Sequence, residues 1–317
     1  MARSSKSRDR MLSGLILALL ALPALAGAVP ARVPGTLVDL DPPPGFTLME
    51  RYPGFENRAK EASIMVSELP GSAVEVRKGM TRENLAGRGM TLISTQTVMV
   101  AGKSALLLNV SQRAAGRNFL KWMLVAGDAK KSVMVVGSFP KESPALSLPI
   151  KRAVLSTKWS PSGPSSSFEG LTFRVDPAPK LKLGGRVGNL LVFSESGKIE
   201  PNNTTEAMLI VGSSYTEASV TDVEAFAKER ASKTTRIGPL KIIEGRTVTT
   251  DGLPGYEIVA NTYDLKSSKD IRMYQLVLAD KTTYYLAQGF VTPERAAAVL
   301  PQFRLVTGSF RRVRPTR

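Results

Sequence analysis

The sequence predicts an α+β protein made of two tandem copies of one plan, each a twisted, mainly antiparallel sheet flanked by helices. Three observations carry this prediction. First, a Ser/Pro/Gly run from Ser160 to Ser167 interrupts the chain, and such a composition builds no core and reads as a linker. Second, segments on its two sides match in order at an offset of about 150 residues: Val98–Val110 (VMVAGKSALLLNV) with Val248–Ala260 (VTTDGLPGYEIVA), and Trp122–Pro140 with Tyr274–Pro293. Third, in each copy four strand-like runs joined by short turns follow one helix-like run, the pattern of an antiparallel meander whose faces need helical cover.

In the first copy, Phe46 to Arg51 and Ala62 to Ser67 read as strands. Ser72 caps an expected helix running to about Gly89, with Val76, Met80 and Leu85 near helical spacing. Strands are expected at Thr91 to Val100, Ser104 to Ser111, Phe119 to Ala126 and Ser132 to Ser138. Turn signals at Ala101-Gly102, Ala115-Gly116 and Gly127-Asp128 divide them. A short helix with Pro149 in its first turn closes the copy.

The second copy repeats this order. Strands are expected at Leu190 to Phe193 and Ala207 to Ser213, then a helix from Val220 to about Lys233 with Ser219 or Thr221 as its cap and Val223, Phe226 and Ala227 as its apolar stripe. Four strands follow at Leu240 to Thr249, Gly255 to Tyr263, Ile271 to Ala279 and Thr282 to Phe290. The last helix starts with Thr292 as N-cap, Pro293 at the first helical position and Glu294 in the first turn. The extra length of this copy falls around Ser194 to Glu206, a polar loop.

The first residues read as an address. Arg3, Lys6, Arg8 and Arg10 precede an apolar run from Leu12 to Leu22, and Pro23 and the small residues Ala24 to Ala28 follow. A basic region, a short apolar core and an A-x-A site make a secretory signal peptide, with cleavage after Ala26 or Ala28. The boundaries expected are therefore a signal peptide at 1–28, an N-terminal segment at 29–43, a first domain at 44–160, a linker at 161–167, a second domain at 168–313 and a basic tail at 314–317. The expected location is the periplasm or the exterior, with a membrane anchor as the lesser reading.

Composition narrows the chemistry. The chain has 317 residues, 43% apolar and 22% charged, which are ordinary globular fractions. It contains no cysteine and no histidine. That removes disulfides, thiol nucleophiles, imidazole general bases and His-ligated metals. A non-enzyme is the expectation, with carboxylate or Ser/Lys chemistry left open and recognisable by a cleft of strongly shifted groups. The formal net charge is +16, and the excess is spread over both copies, which leaves nucleic acid a poor partner outside the cytoplasm. Arg113, Arg117, Lys121, Lys130 and Lys131 flank the Phe119 to Ala126 strand at its two ends. They form a possible surface for an anion or a partner, weighed against a plain solvated basic face.

Other motifs have simpler explanations. Gly102-Lys103-Ser104 ends like a P-loop, but Thr97 stands where that motif needs glycine, so a hairpin turn is expected. Gly184 to Gly188 lies within a strand region and reads as a loop or bulge, not a dinucleotide site. The methionines Met49, Met65, Met80, Met90, Met99, Met123 and Met134 are soft enough for copper(I) but scattered, and core packing is the expectation. Glu217, Asp222 and Glu224 near a helix start are explained by the helix dipole. No cofactor or metal motif is found.

Pro43-Pro44-Gly45-Phe46, Gly255-Tyr256-Glu257, Tyr274-Gln275-Leu276-Val277, Tyr284-Tyr285-Leu286 and Ser309-Phe310, in this order of elements, resemble the PsbP-like family with its bacterial DcrB-like branch. The resemblance covers about 270 residues as two copies and is better in the second. It implies two α/β/α sandwich domains acting as binding or assembly modules, with no shared catalytic residue to carry over. The plant members' association with metal ions has no matching motif here. The function expected is a non-catalytic exported envelope protein with a binding or scaffolding surface. The alternative is a basic protein held electrostatically to anionic lipid or polysaccharide. Its partner is then an envelope protein or an anionic envelope surface, met in the groove between the domains.

Overall fold

The computed structural model describes residues 30–114, 116–160, 166–200, 206–215 and 217–313. The expected signal peptide, residues 161–165 of the expected linker and the basic tail at 314–317 lie outside the described residues.

The first domain runs β1 (Ala31–Arg32), β2 (Val38–Leu40), β3 (Thr47–Leu48), β4 (Gly54–Asn57), β5 (Ala62–Pro70), α1 (Ala73–Lys78), α2 (Arg82–Ala86), β6 (Met90–Val100), β7 (Lys103–Ala114), β8 (Arg117–Gly127), β9 (Lys131–Pro140), α3 (Ser147–Leu155) and β10 (Lys158–Trp159). The second runs β11 (Phe173–Arg174), β12 (Lys182–Val187), β13 (Leu190–Ser194), β14 (Met208–Ser213), α4 (Val223–Ser232), β15 (Lys241–Thr250), β16 (Leu253–Tyr263), β17 (Asp270–Asp280), β18 (Thr283–Val291), α5 (Ala296–Gly308) and β19 (Arg311–Arg312).

Each domain holds one seven-stranded sheet, and the two have the same order: β3-β4-β5-β9-β8-β7-β6 and β12-β13-β14-β18-β17-β16-β15. All their strand pairs are antiparallel. The copies share details that no short motif specifies. The hairpins β6–β7 and β15–β16 both turn on two residues with positive φ, Ala101 and Gly102 (47° and 76°) and Asp251 and Gly252 (52° and 72°). This is the type I′ geometry that matches strand twist. Both edge strands carry a register shift about eight residues before the turn, at Leu92/Ser94 and at Ile242/Glu244. In both domains a short strand after the last helix pairs with one that precedes the sheet, β10 with β2 and β19 with β11.

Helices cover both faces. On one face of the first sheet, α3 buries Ile150, Ala153 and Val154 against Ile64, Val66, Leu107, Leu124 and Val135. On the other, α2 sets Leu85 on Leu108, Val110, Met123 and Val125. In the second domain, α5 packs Val299, Phe303 and Val306 on Tyr274, Leu276 and Ala287, and α4 packs Ala227 and Ala231 on Ile258, Met273 and Val277. Fully burying a side chain of this size contributes about 1.5–3 kcal/mol. The α/β/α sandwich is thus observed twice.

Some elements differ from expectation. The expected Ser72 to Gly89 helix is two short ones. Ser72 caps α1, accepting from the Val74 amide at 3.1 Å, and Thr81 starts α2, accepting from the Asn84 amide at 3.2 Å. Gly79 disfavours the helix interior, and a threonine hydroxyl competes for backbone groups, so the chain stops and restarts. The cap of α4 is Asp222, at 2.9 Å from the Ala225 amide, and neither Ser219 nor Thr221 holds that place. At the last helix, Thr292 has the extended backbone of a cap but no capping side-chain bond, and a 3-10 turn (Pro293–Arg295) precedes α5. The Gly184–Gly188 segment forms β12 with a register shift between Leu183 and Gly185, the bulge expected. The segment before Pro44 belongs to the first core, since Val33, Val38 and Leu40 are fully buried in it.

Candidate functional site

The helices are too short to cover their sheets. α4 has ten residues, about 15 Å of helix, and it lies on β16 and β17. The same face of β13 and β14 stays open, showing Leu190, Ile210 and Gly212 to a cavity of about 400 Å³ that Arg230, Tyr284, Leu286 and Gln288 complete. In the first domain α1 and α2 leave β4 and β5 open, so that Glu56, Ser63 and Met65 line a cavity of about 230 Å³. Tyr215 lies at the border of both, just past the end of β14.

Tyr215 also walls a third cavity, of about 490 Å³, between the domains. The first domain supplies Met49, Glu50, Arg51, Glu56, Arg58 and Glu61, and the second supplies Tyr215 and Glu217. The Tyr215 ring meets Tyr52 edge-on at 6.0 Å and 86°, while remaining 59% exposed. Arg51 crosses the cleft and donates to Thr282 Oγ1 at 3.1 Å. Arg58 Nε donates to Glu56 at 2.8 Å, and Glu61 pairs with Arg117. The cleft therefore has an acidic balance in a basic protein, four carboxylates against two guanidiniums.

Arg186 fills the seam behind this cleft, packed against Gly35 of the first domain. Its guanidinium donates to the carbonyl oxygens of Glu169 and Gly188, and it borders a cavity of about 100 Å³ shared with Gly35, Thr36 and Glu68 of the first domain. Burial pulls its pKa down to about 10, partly offset by the charges of Glu169, Tyr52 and Glu68. Glu68 is held in turn by Trp159 Nε1 at 2.7 Å and the Leu37 amide at 3.2 Å. Tyr52 shares a hydrogen bond with Ser67 at 2.6 Å, and burial raises its pKa.

The other strongly perturbed group lies inside the second domain. Glu257, only 4% exposed, accepts from Arg246 (2.9 and 3.1 Å), from Arg304 Nε (2.9 Å) and from the Tyr274 hydroxyl (3.1 Å). Burial alone would raise its pKa, but the two guanidiniums outweigh burial and hold it below the ordinary carboxylate value. Burial first, then the Glu257 charge, drives the Tyr274 hydroxyl far above its usual pKa. Glu257 is saturated with donors and faces α5, so it has no lone pair poised to take a substrate proton. The network is a structural tie between β15, β16, β17 and α5.

The basic residues read from the sequence fall into two groups. Arg113, Arg117 and Lys121 lie toward the start of β8, and Lys130 and Lys131 lie past its end. Lys121 and Arg117 lie six and ten residues before the end of β8, roughly 20 and 30 Å from it. Arg117 is engaged by Glu61, and half-buried Lys121 donates to Gln112 Oε1 at 2.6 Å, with burial lowering its pKa. Of the closing arginines, Arg311 pairs with Asp176 (2.8 Å), and Arg312 with Asp251 (2.8 Å) and Asp280 (3.3 Å).

Of the seven methionines, Met80, Met90, Met123 and Met134 pack beneath α1 and α2, Met49 lines the cleft, Met65 lines the cavity of about 230 Å³ beside it, and Met99 is 68% exposed on β6. Among the described residues no group of three or more acidic residues is arranged to hold a metal ion. Among them, too, no helix is long and apolar enough to cross a membrane. Sequence reading did not find Tyr215, Arg230 or Arg186. The one signal for Tyr215 is an aromatic residue directly after the strand-ending Ser213-Ser214.

No family model matches the chain, and no curated protein does. Several solved structures are similar. LpqN of Mycobacterium tuberculosis, described as involved in cell envelope biogenesis, is 8% identical over 48% of this chain and 84% of its own, with a TM-score of 0.34. The cyanobacterial PsbP of Synechocystis sp. PCC 6803 is 15% identical over 45% of this chain and 82% of its own, with a TM-score of 0.28. TplEi, a T6SS immunity protein of Pseudomonas aeruginosa, is 13% identical over 86% of this chain and 97% of its own, with a TM-score of 0.32. A PsbP stands among the structures this chain is similar to. The fold itself rests on the two sheets described above.

Proposed function

We propose that this protein is a non-catalytic binding protein of the bacterial cell envelope, exported by its N-terminal signal, and that the cleft between its tandem domains receives a protein partner. The observation that carries this reading is the position of Tyr215. It is an exposed aromatic ring at the meeting of two uncovered sheet faces and an interdomain cavity of about 490 Å³. Exposed aromatic residues in concave, mixed-polarity surroundings anchor protein interfaces. The acidic balance of the cleft favours a partner segment that brings positive charge.

The second reading is electrostatic attachment to anionic lipid or polysaccharide, and it has support in the charge of +16 and in the exposed Arg113, Lys130 and Lys131. It is weakened by the roughly 20–30 Å of strand between the two basic groups and by the pairing of Arg117 and Arg312 with carboxylates. Crosslinking of the full-length protein in isolated envelopes, carried out in low and in high salt, separates the two. One protein recovered near stoichiometry in both salts supports the cleft reading. Anionic lipid or polysaccharide lost in high salt overturns it.

A further inference from the structure

We infer that the cavity on the open half of the second sheet binds a single-chain anionic amphiphile, with its tail on Leu190, Ile210 and Leu286 and its head at Arg230. The inference rests on the cleft reading only in placing the mouth of this pocket at Tyr215. The cavity is about 400 Å³, near the lower end of the roughly 300–1,000 Å³ of small-molecule sites, a size for one acyl chain. Its floor is aliphatic sheet surface that α4 does not cover, and Tyr284 stands beside it.

The charge is what selects the head group. Arg230 projects from the last turn of α4, half-buried, with its guanidinium carbon 5.8 Å from the Tyr284 ring centre. Among the described residues no carboxylate pairs with it, whereas Arg246, Arg304, Arg311 and Arg312 all have carboxylate partners. Its Nε is buried and has no hydrogen-bond acceptor. A buried donor left unmade is costly, and an arginine fork is shaped to take a carboxylate or phosphate. The neighbouring Gln288 cannot substitute as donor, because its amide nitrogen is spent on Gln275 (2.8 Å) and Thr234 (2.9 Å). An apolar floor beside one unpaired cation defines a ligand with an apolar tail and an anionic head.

The test is isothermal titration of the protein with laurate and with dodecyl phosphate below their micellar concentrations, and with dodecanol as the neutral comparator. One site per chain is expected for both anions, with dodecanol at least about tenfold weaker, equivalent to 1.4 kcal/mol. Arg230→Gln should weaken both anions about tenfold and leave dodecanol unchanged, and Arg230→Lys should restore part of the loss. The ratio of laurate to dodecyl phosphate affinity identifies the head group as carboxylate or phosphate. Absence of binding by both anions, or equal binding to the Arg230→Gln protein, overturns the inference. Partner recovery by crosslinking is a separate readout: if it persists while laurate fails, this inference falls and the cleft reading stands. If laurate binds while recovery fails, the reverse holds.

Discussion

Gly137 and Gly289 occupy the same place in the two sheets: each is the strand residue over which the last helix of its domain passes. A Cβ on Gly137 would lie 2.2 Å from Ile150 Cγ2 of α3, and one on Gly289 would lie 2.7 Å from Phe303 Cε2 of α5. Each is paired across the sheet with the aromatic residue that ties the same helix down. Trp122 opposite Gly137 donates to Ser147 Oγ at 3.1 Å, and Tyr274 opposite Gly289 bonds Thr307 at 2.9 Å. The helix can approach the sheet only because these positions carry no side chain.

Gly137→Ala and Gly289→Ala should therefore each destabilise the protein by about 1–3 kcal/mol through overpacking. Urea denaturation midpoints measure this, and a change within about 0.5 kcal/mol would contradict the close approach.

The Glu257 network predicts an acid-side effect. A carboxyl group held below its ordinary pKa binds fewer protons folded than unfolded, so its stabilisation is complete above pH 4.5 and is lost as pH falls through the lowered native value. Glu257→Gln should cost about 2–4 kcal/mol at pH 7, at the low end because Arg246 is more than half exposed. It should also flatten the loss of stability between pH 4.5 and pH 3. An unchanged slope in denaturation curves across that range would refute this role.

Arg186 predicts coupling between the domains through packing. Arg186→Ala removes donors from the Glu169 and Gly188 carbonyl oxygens within the second domain, and with them the guanidinium packed against Gly35 of the first. The loss is about 1–3 kcal/mol. Small-angle scattering should report a larger radius of gyration, and proteolysis should be faster in the Ser160 to Ser167 run. A variant as compact as the parent would show that the seam is held elsewhere.

Helix α4 tests a correction to the sequence reading. Asp222→Ala should cost about 1 kcal/mol of stability through the lost cap, while Ser219→Ala and Thr221→Ala should be near neutral. Equal effects from all three would contradict the observed cap.

Edge strand β6 (Met90–Val100) has eleven residues, no charge, and Ile93 and Met99 exposed. Such edges template pairing with other chains. Ile93→Lys should slow heat-induced light scattering without lowering the unfolding midpoint, and an unchanged scattering rate would absolve this edge.

Most of the fold was legible because the strands β6–β9 and β15–β18 each run for nine or more residues and are separated by strong turn signals such as Ala101-Gly102 and Gly127-Asp128. Where periodicity had no room, it failed. Gly54–Asn57 has four residues and β2 and β10 have three and two, and their pairing is set by contacts more than 100 residues apart. Asp222 was passed over as a cap because its carboxylate was read only for its charge near the helix start, although the same oxygen accepts the Ala225 amide. The candidate site was legible as a place, the groove between domains, but not as residues. Tyr215, Arg230 and Arg186 acquire their roles from a domain contact and an uncovered sheet face, and neither leaves a pattern along the chain.

The most direct test of the central claim is photo-crosslinking in cells from a benzophenone side chain placed at position 215, compared with the same group at position 130. The account predicts one discrete protein adduct from position 215 and none of comparable yield from position 130. An adduct from position 130 alone would contradict the cleft as the binding surface and return the function to the charged exterior.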